Sequence, residues 1–281
     1  MKSIKISNLL SNIIMYLACS IVLLIISIPI YMSVMGGFKS LGQLRASPMN
    51  LPDPFMLNQY LDILSGVKGA FWPQLVNSLI VGFGTVAVML IIGVFAGFAL
   101  ARINFKFNTL IYRYFQLGLL FPLTVAILPL YLQLRMFGLL NTYPGVILPQ
   151  AAFQLSMMIL LLRGFIMTIP FELEEAAAMD GCGKFTFLFR IIIPLSTPIL
   201  ITVGILTFVT SWNNFFTPLL VFNSQNLFTL PMGVMNFMGE HAADWNMILA
   251  FLTLAMIPAI ILYIVGQKYI VSGLTSGAIK G

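Results

Sequence analysis

Polar residues in this chain are sparse and bunched, and the apolar stretches between them are long. Six charge-free stretches cover 6–38, 69–101, 114–134, 136–162, 191–239 and 245–267. A helix that crosses a bilayer needs about 20 mostly apolar residues, and each stretch is long enough for one. The pattern predicts spans over 13–34, 73–101, 114–134, 146–166, 191–220 and 245–267. The first apolar run is too long for a cleaved signal peptide, and no small-residue cleavage site follows it. The stretch 191–239 exceeds one span, and its more polar second part reads as a loop. The fold class that follows is an all-α polytopic membrane protein with six transmembrane helices. One interruption stands out. Residues 172–183 read E-L-E-E-A-A-A-M-D-G-C-G and hold four of the chain's eight acidic residues.

Composition agrees with the pattern. Of 281 residues, 60% are hydrophobic and 8% charged, with a mean hydropathy of +1.02. A soluble domain carries roughly 25% charged residues, so this chain cannot cover a water-facing surface and the lipid bilayer is its main solvent. The net charge of +6 raises nucleic acid as a partner, but the basic residues are scattered singly and form no patch. They report topology instead, because Lys and Arg hold loops on the cytoplasmic side. With both termini cytoplasmic, the inner cations are Lys2, Lys5, Arg102, Lys106, Arg113, Arg163, Lys184, Arg190, Lys268 and Lys280, ten of the 14; the outer four are Lys39, Arg45, Lys68 and Arg135. The outer segments 39–72, 139–144 and 223–244 fall short of the roughly 50 residues of an independent domain, so residues 1–281 form a single transmembrane domain. The polar island faces the cytoplasm. Cys19 and Cys182 are too few and too dispersed for a disulfide framework or a metal site.

What is missing narrows the chemistry. No ionisable residue falls squarely inside a predicted span, whereas ion-coupled carriers and proton pumps generally need one there. The single histidine, His241, lies in an outer loop, so an intramembrane enzyme lacks a base. Gly36-Gly37 and Gly181-x-Gly183 have neither the spacing nor the strand context of a phosphate loop. The chain is expected to bind no cofactor and no metal, and any ATP and magnesium that drive it bind to separate subunits.

The island reads as one short amphipathic helix over 172–180. Pro170 suits its first turn, Glu172, Glu174 and Glu175 suit its positive end, and Ala176, Ala177 and Ala178 favour helix and leave low relief. Gly181 suits the left-handed residue that ends a helix. Physics alone leaves two readings: a solvated connector, or a helix that plugs into a cytoplasmic partner.

The run Glu175-Ala176-Ala177-Ala178-Met179-Asp180-Gly181, followed by Ile191-Ile192-Ile193-Pro194-Leu195 and Pro198, resembles the EAA loop of ABC-importer membrane subunits. Cys182 stands where many members have alanine. Independently, the C-terminal run 267–281 resembles the tail of the maltose-type carbohydrate permeases, specifically the smaller, MalG-like subunits. Trp212-Asn213-Asn214-Phe215, Leu230-Pro231-Met232-Gly233 and Asp244-Trp245 fit that subfamily in order. The resemblance covers essentially the whole chain, with the region before Pro73 the least diagnostic.

That resemblance implies a type I ABC-importer permease fold in a bacterial or archaeal cytoplasmic membrane, and a pore-forming subunit that moves a carbohydrate. Its implied partners are a second, homologous permease, two ATPase subunits and an extracytoplasmic sugar-binding protein. The helix at 172–181 becomes a coupling helix seated on an ATPase subunit, with Glu174, Glu175, Ala176, Ala177, Asp180 and Gly181 as the coupling set. Glu175 is expected to pair with a basic residue of the ATPase. The tail 268–281, through Gly273, Thr275, Gly277 and Lys280, is expected to face the ATPases. Gly239, Glu240, His241 and Asp244 are expected to touch the binding protein. Candidate substrate-path residues are Asn77, Gln150, Gln154, Trp212, Asn213 and Asn214, with Thr210, since sugar hydroxyls need both donors and acceptors. Membrane helices also use such residues to hold one another together. The competing class is a stand-alone carrier or enzyme. The competing cargo is a peptide, a polyamine or phosphate, whose importers share the EAA loop but not this ending.

Overall fold

The computed structural model describes residues 2–239 and 243–278, with side chains over 12–239 and 243–268. In chain order the helices are α1 (Lys2–Gly36), α2 (Leu41–Ala46), α3 (Asn58–Leu64), α4 (Phe71–Arg102), α5 (Asn108–Gly118), α6 (Leu123–Met136), α7 (Tyr143–Ile166) and α8 (Glu172–Met179). There follow α9 (Lys184–Phe187), a π-helical turn over Leu188–Ile192, α10 (Ile193–Leu195), α11 (Thr197–Trp212), α12 (Phe216–Val221), α13 (Leu230–Gly233) and α14 (Trp245–Ala278). Among the described residues the only strand pairing is a single bridge, Met238 to Ala243. Among the described residues four helices are long and apolar enough to cross a membrane, or up to six spans if each of two bent pairs counts as one.

Two spans expected to be single helices are broken. The predicted 114–134 is instead the pair α5 and α6, bent by 103°. Pro122 stands at the N-cap of α6 in extended conformation, and proline biases the residue before it away from helix, so the chain turns there. The predicted 191–220 takes in the end of Lys184–Leu195 and all of α11, which are bent by 76° to one another, and then most of α12. Pro194 and Pro198 lie on either side of the break at Ser196, and each removes a backbone donor. Conversely, the expected polar tail from 268 continues α14 as helix to Ala278. A helix already formed adds one hydrogen bond per residue fixed, and no proline follows Pro258 to stop it.

The chain divides into two compact units, residues 1–71 with 233–256, and residues 72–232 with 257–281. In the first, the connection after α1 is built around a buried cation. Lys39 is 1% exposed, and its Nζ donates to the carbonyls of Ser47 at 2.9 Å and Pro48 at 2.8 Å. Gln59 of α3 donates to the Lys39 carbonyl at 3.0 Å, and Tyr60 donates to Val34 at 3.1 Å. Burial raises the Tyr60 phenol above its ordinary value, partly offset by a hydrogen bond with Thr253. Phe38 stacks on Phe55 with centroids 4.3 Å apart and meets Tyr60 in a tilted contact at 4.5 Å.

The second unit carries the acidic island and the Trp212–Phe215 run, while Asp244-Trp245 belongs to the first. The core of the second unit includes, among the described residues, clusters around Phe98, Ile166 and Leu188; around Met89, Leu162 and Val203; and around Val81, Val146 and Phe222. Gly93 and Gly97 let α4 lie against α7: an added Cβ at Gly93 would sit 2.9 Å from the Leu162 side chain, and one at Gly97 3.0 Å from it. This is the small-residue spacing that lets membrane helices approach closely.

Candidate functional site

α8 sits at the end of the second unit where α4 and α7 also end. Its N-cap, Phe171, makes no side-chain cap bond, and three carboxylates fill its first turn; Pro170 therefore precedes the helix rather than opening it. The C-terminus is a complete Schellman motif. Cys182 N–H donates to the Ala177 carbonyl at 2.9 Å and Gly181 N–H to that of Ala178 at 3.0 Å, while Gly181 has φ +77°. Cys182 then packs on the same apolar cluster as Ala177.

The helix has two distinct faces. Ala177 is buried among Ile166, Ile169, Phe187 and Leu188. Glu174 lies one turn before it and is 20% exposed, with Oε2 3.8 Å from Nη1 of Arg102, itself 5% exposed. These two members of the expected coupling set face the protein's own interior. The outward face carries Glu175, Ala176, Asp180 and Gly181, all exposed. Met179 is 89% exposed and Phe185, just beyond, is 73% exposed. Sequence reading missed Arg102 as a site residue. The available signal was charge: a lone cation ends one span, and an acidic island follows another.

The expected substrate-path residues separate by surroundings. Asn77 is 5% exposed. Its amide donates to the carbonyls of Asn226 at 2.8 Å and Phe228 at 3.0 Å, and its oxygen accepts from Tyr143 at 2.7 Å. Trp212 is 3% exposed and stacked on Phe208 with centroids 5.4 Å apart, so its ring presents no open face. Gln150 is 2% exposed; its oxygen accepts from Ser211, which ties α7 to α11. Gln154 donates to the Gln150 carbonyl at 3.2 Å. Gln150 Nε2 and Gln154 Oε1 find no partner among the described residues. Asn214 Oδ1, one residue before the N-cap of α12, accepts from Thr217 N–H at 3.0 Å. Thr210 and Asn213 are exposed and, among the described residues, their side chains bond to carbonyls of their own helix.

In the loop before α14, Gly239 is exposed and Asp244 is half-buried, its N–H bonded to the Phe237 carbonyl at 3.0 Å. Glu240 and His241 lie outside the described residues, as does Lys280. Gly273, Thr275 and Gly277 lie on the last turns of α14.

The short acidic helix α8 thus stands at the ends of two unbroken spans, α4 and α7, in a helical protein that also has two bent pairs. The chain belongs to the family of binding-protein-dependent transport system inner membrane components, whose model matches residues 89–276. It is 36% identical over 260 residues to the probable ABC transporter permease protein YurM of Bacillus subtilis, covering 92% of this chain and 85% of that one. It is 34% identical over 267 residues to the sulfoquinovosyl glycerol transport system permease protein SmoH of Agrobacterium fabrum, covering 95% and 93%. The arabinooligosaccharides transport system permease protein AraQ of Bacillus subtilis is 32% identical over 256 residues, covering 90% of each. In structure the chain matches a subunit of a bacterial ABC transporter that imports the acidic polysaccharide alginate, with TM-score 0.81 and 23% identity over 94% of this chain and 97% of that one; at that identity the match shows the fold. The protein is thus a multi-pass permease subunit of an ABC importer, and such a subunit works with an ATPase and a binding protein.

Proposed function

We propose that this chain is one of two homologous permease subunits of a carbohydrate importer, served by two ATPase subunits and an extracytoplasmic sugar-binding protein. The observation that carries the cargo class is the agreement among relatives: sulfoquinovosyl glycerol, arabinooligosaccharides and diacetylchitobiose are the named cargoes of three permeases that match over nine-tenths of this chain. The outward face of α8, through Glu175, Ala176, Asp180 and Gly181, is the ATPase contact, and ATP and magnesium bind on the ATPase. Both termini are cytoplasmic, as the ten inner cations favour. Gly273, Thr275, Gly277 and Lys280 face the ATPases, and the loop 239–244 meets the binding protein. Among the path candidates, the exposed Asn213 is better placed to meet a sugar than the packed Asn77 and Trp212.

The test has two arms. A sugar panel titrated into the cognate binding protein should yield a carbohydrate ligand; binding only of peptides, polyamines or phosphate overturns the cargo class. In the second arm an ATPase subunit should co-purify with this chain and be lost on Glu175→Lys. Undiminished co-purification and uptake in that variant overturn the role of α8.

A further inference from the structure

Arg102 makes four contacts with one guanidinium. Nη2 donates to the Ile166 carbonyl at 2.8 Å and also to the Ile169 carbonyl. Nη1 lies 3.8 Å from the Glu174 carboxylate, and the group's carbon is 5.8 Å from the centre of the Phe171 ring. The residue ends α4, the two carbonyls belong to the end of α7 and the turn after it, and Phe171 and Glu174 belong to the start of α8. Three elements therefore meet on one side chain.

Each contact follows from the local chemistry. The last carbonyls of a helix lack intrahelical donors and carry the negative end of its dipole, so the end of α7 attracts a cation. The first turn of α8 has free N–H groups and prefers an anion, which Glu174 supplies. A guanidinium holds its donors in a rigid plane, so donating to two carbonyls at and just after the end of α7 while lying 3.8 Å from the Glu174 carboxylate, without a hydrogen bond to it, constrains the angle between α7 and α8. The Arg102 side chain is 5% exposed and that of Glu174 20%, so loss of Glu174 leaves a buried guanidinium without its counter-charge. Ala177, on the same face, completes the attachment through apolar packing.

We propose that Arg102 is a positioning residue for coupling: it locks α8 to the ends of α4 and α7, so that displacement of α8 moves both spans together. This rests on α8 being the ATPase contact. Glu175 and Glu174 then divide the work, one outward toward the partner and one inward toward the clamp.

The experiment uses the whole complex, with its partner permease, ATPase and binding protein, in liposomes. It compares wild type with Arg102→Gln, Arg102→Lys, Glu174→Gln and Glu175→Lys. The readout is ATP hydrolysis with and without the cognate binding protein, normalised to assembled complex. Arg102→Gln should keep basal hydrolysis yet lose about fivefold of the binding-protein stimulation, within the range of mutations that carry coupling. Arg102→Lys, which keeps the charge but not the fork, should recover part of it. Glu174→Gln should lower stimulation and add nothing further in the double variant with Arg102→Gln. Stimulation at the wild-type level in assembled Arg102→Gln overturns the clamp. If Arg102→Gln fails to assemble, Glu174→Gln decides alone: wild-type stimulation there overturns the proposal equally. Glu175→Lys separates the two ideas. Its failure to disturb ATPase association means that α8 is not the contact, whereas a defect in Glu175→Lys beside normal Arg102 and Glu174 variants removes only the clamp.

Discussion

Neighbouring carboxylates in one short helix do different things because they point to opposite faces. Glu174 is drawn inward by Arg102, and Glu175 stays exposed. The same contrast separates the amides. Asn77 has both donors and its acceptor engaged within the protein, which leaves it as a fastening between α4, α7 and the segment 226–228. Its replacement by alanine should therefore cost about 2 kcal/mol of stability, at roughly 0.6 kcal/mol for each of three hydrogen bonds in a membrane protein. Thermal unfolding in detergent should show an earlier midpoint, with the half-saturating sugar concentration for uptake unchanged. An unchanged midpoint with weakened sugar dependence would return Asn77 to the substrate path. Residue types alone could not make this distinction, since Asn77 and Asn213 read alike until their neighbours were in place.

At the scale of elements, proline and glycine explain most departures from a simple span count. Pro122, with Pro194 and Pro198, turns two expected spans into bent pairs. Apolar patterning finds the length of such a segment but not its break, because both halves remain apolar. The α4–α7 contact depends on the missing side chain at Gly97, where a Cβ would already meet Leu162 at 3.0 Å. Gly97→Leu should cost about 1–3 kcal/mol through overpacking, read as a lower unfolding midpoint and a smaller yield of folded protein. Gly181 tests backbone rather than space. Nothing lies within 4 Å of a Cβ there, yet φ is +77°. Gly181→Val should cost roughly 1–2 kcal/mol or more of left-handed strain, unwind the last turn of α8, and lower binding-protein-stimulated ATP hydrolysis more than it lowers yield. The helix-ending glycine was legible from sequence spacing; the Schellman hydrogen bonds around it came from the structure. The inward face of α8 was not, because it depends on Arg102 and Ile166, which arrive from other helices.

For the whole molecule, the bilayer takes the place that water has in a soluble fold. α1 shows this most plainly: the apolar window of its span is entirely unburied within the chain, so hydrocarbon or another subunit must cover it. The distribution of cations sets the expected orientation. Tags at the N- and C-terminus should both resist an impermeant protease in intact cells and be cut in inverted vesicles, whereas cleavage of either in intact cells would contradict the assigned topology. Energy enters through other chains, so the isolated permease should hydrolyse no ATP. Activity in the purified chain alone would show otherwise.

By itself the sequence determined the solvent of this protein, its helical class, the acidic island and the glycine that ends it, and hence its family. All of these are written in composition and local spacing, which act over a few residues. The tertiary structure alone decided where the spans break, which island residues face outward, that Asn77 and Trp212 are packed rather than open, and that Arg102 meets Glu174. Those outcomes depend on side chains brought together from distant helices, and a hydrogen bond or a buried charge has no meaning until its partner is in reach.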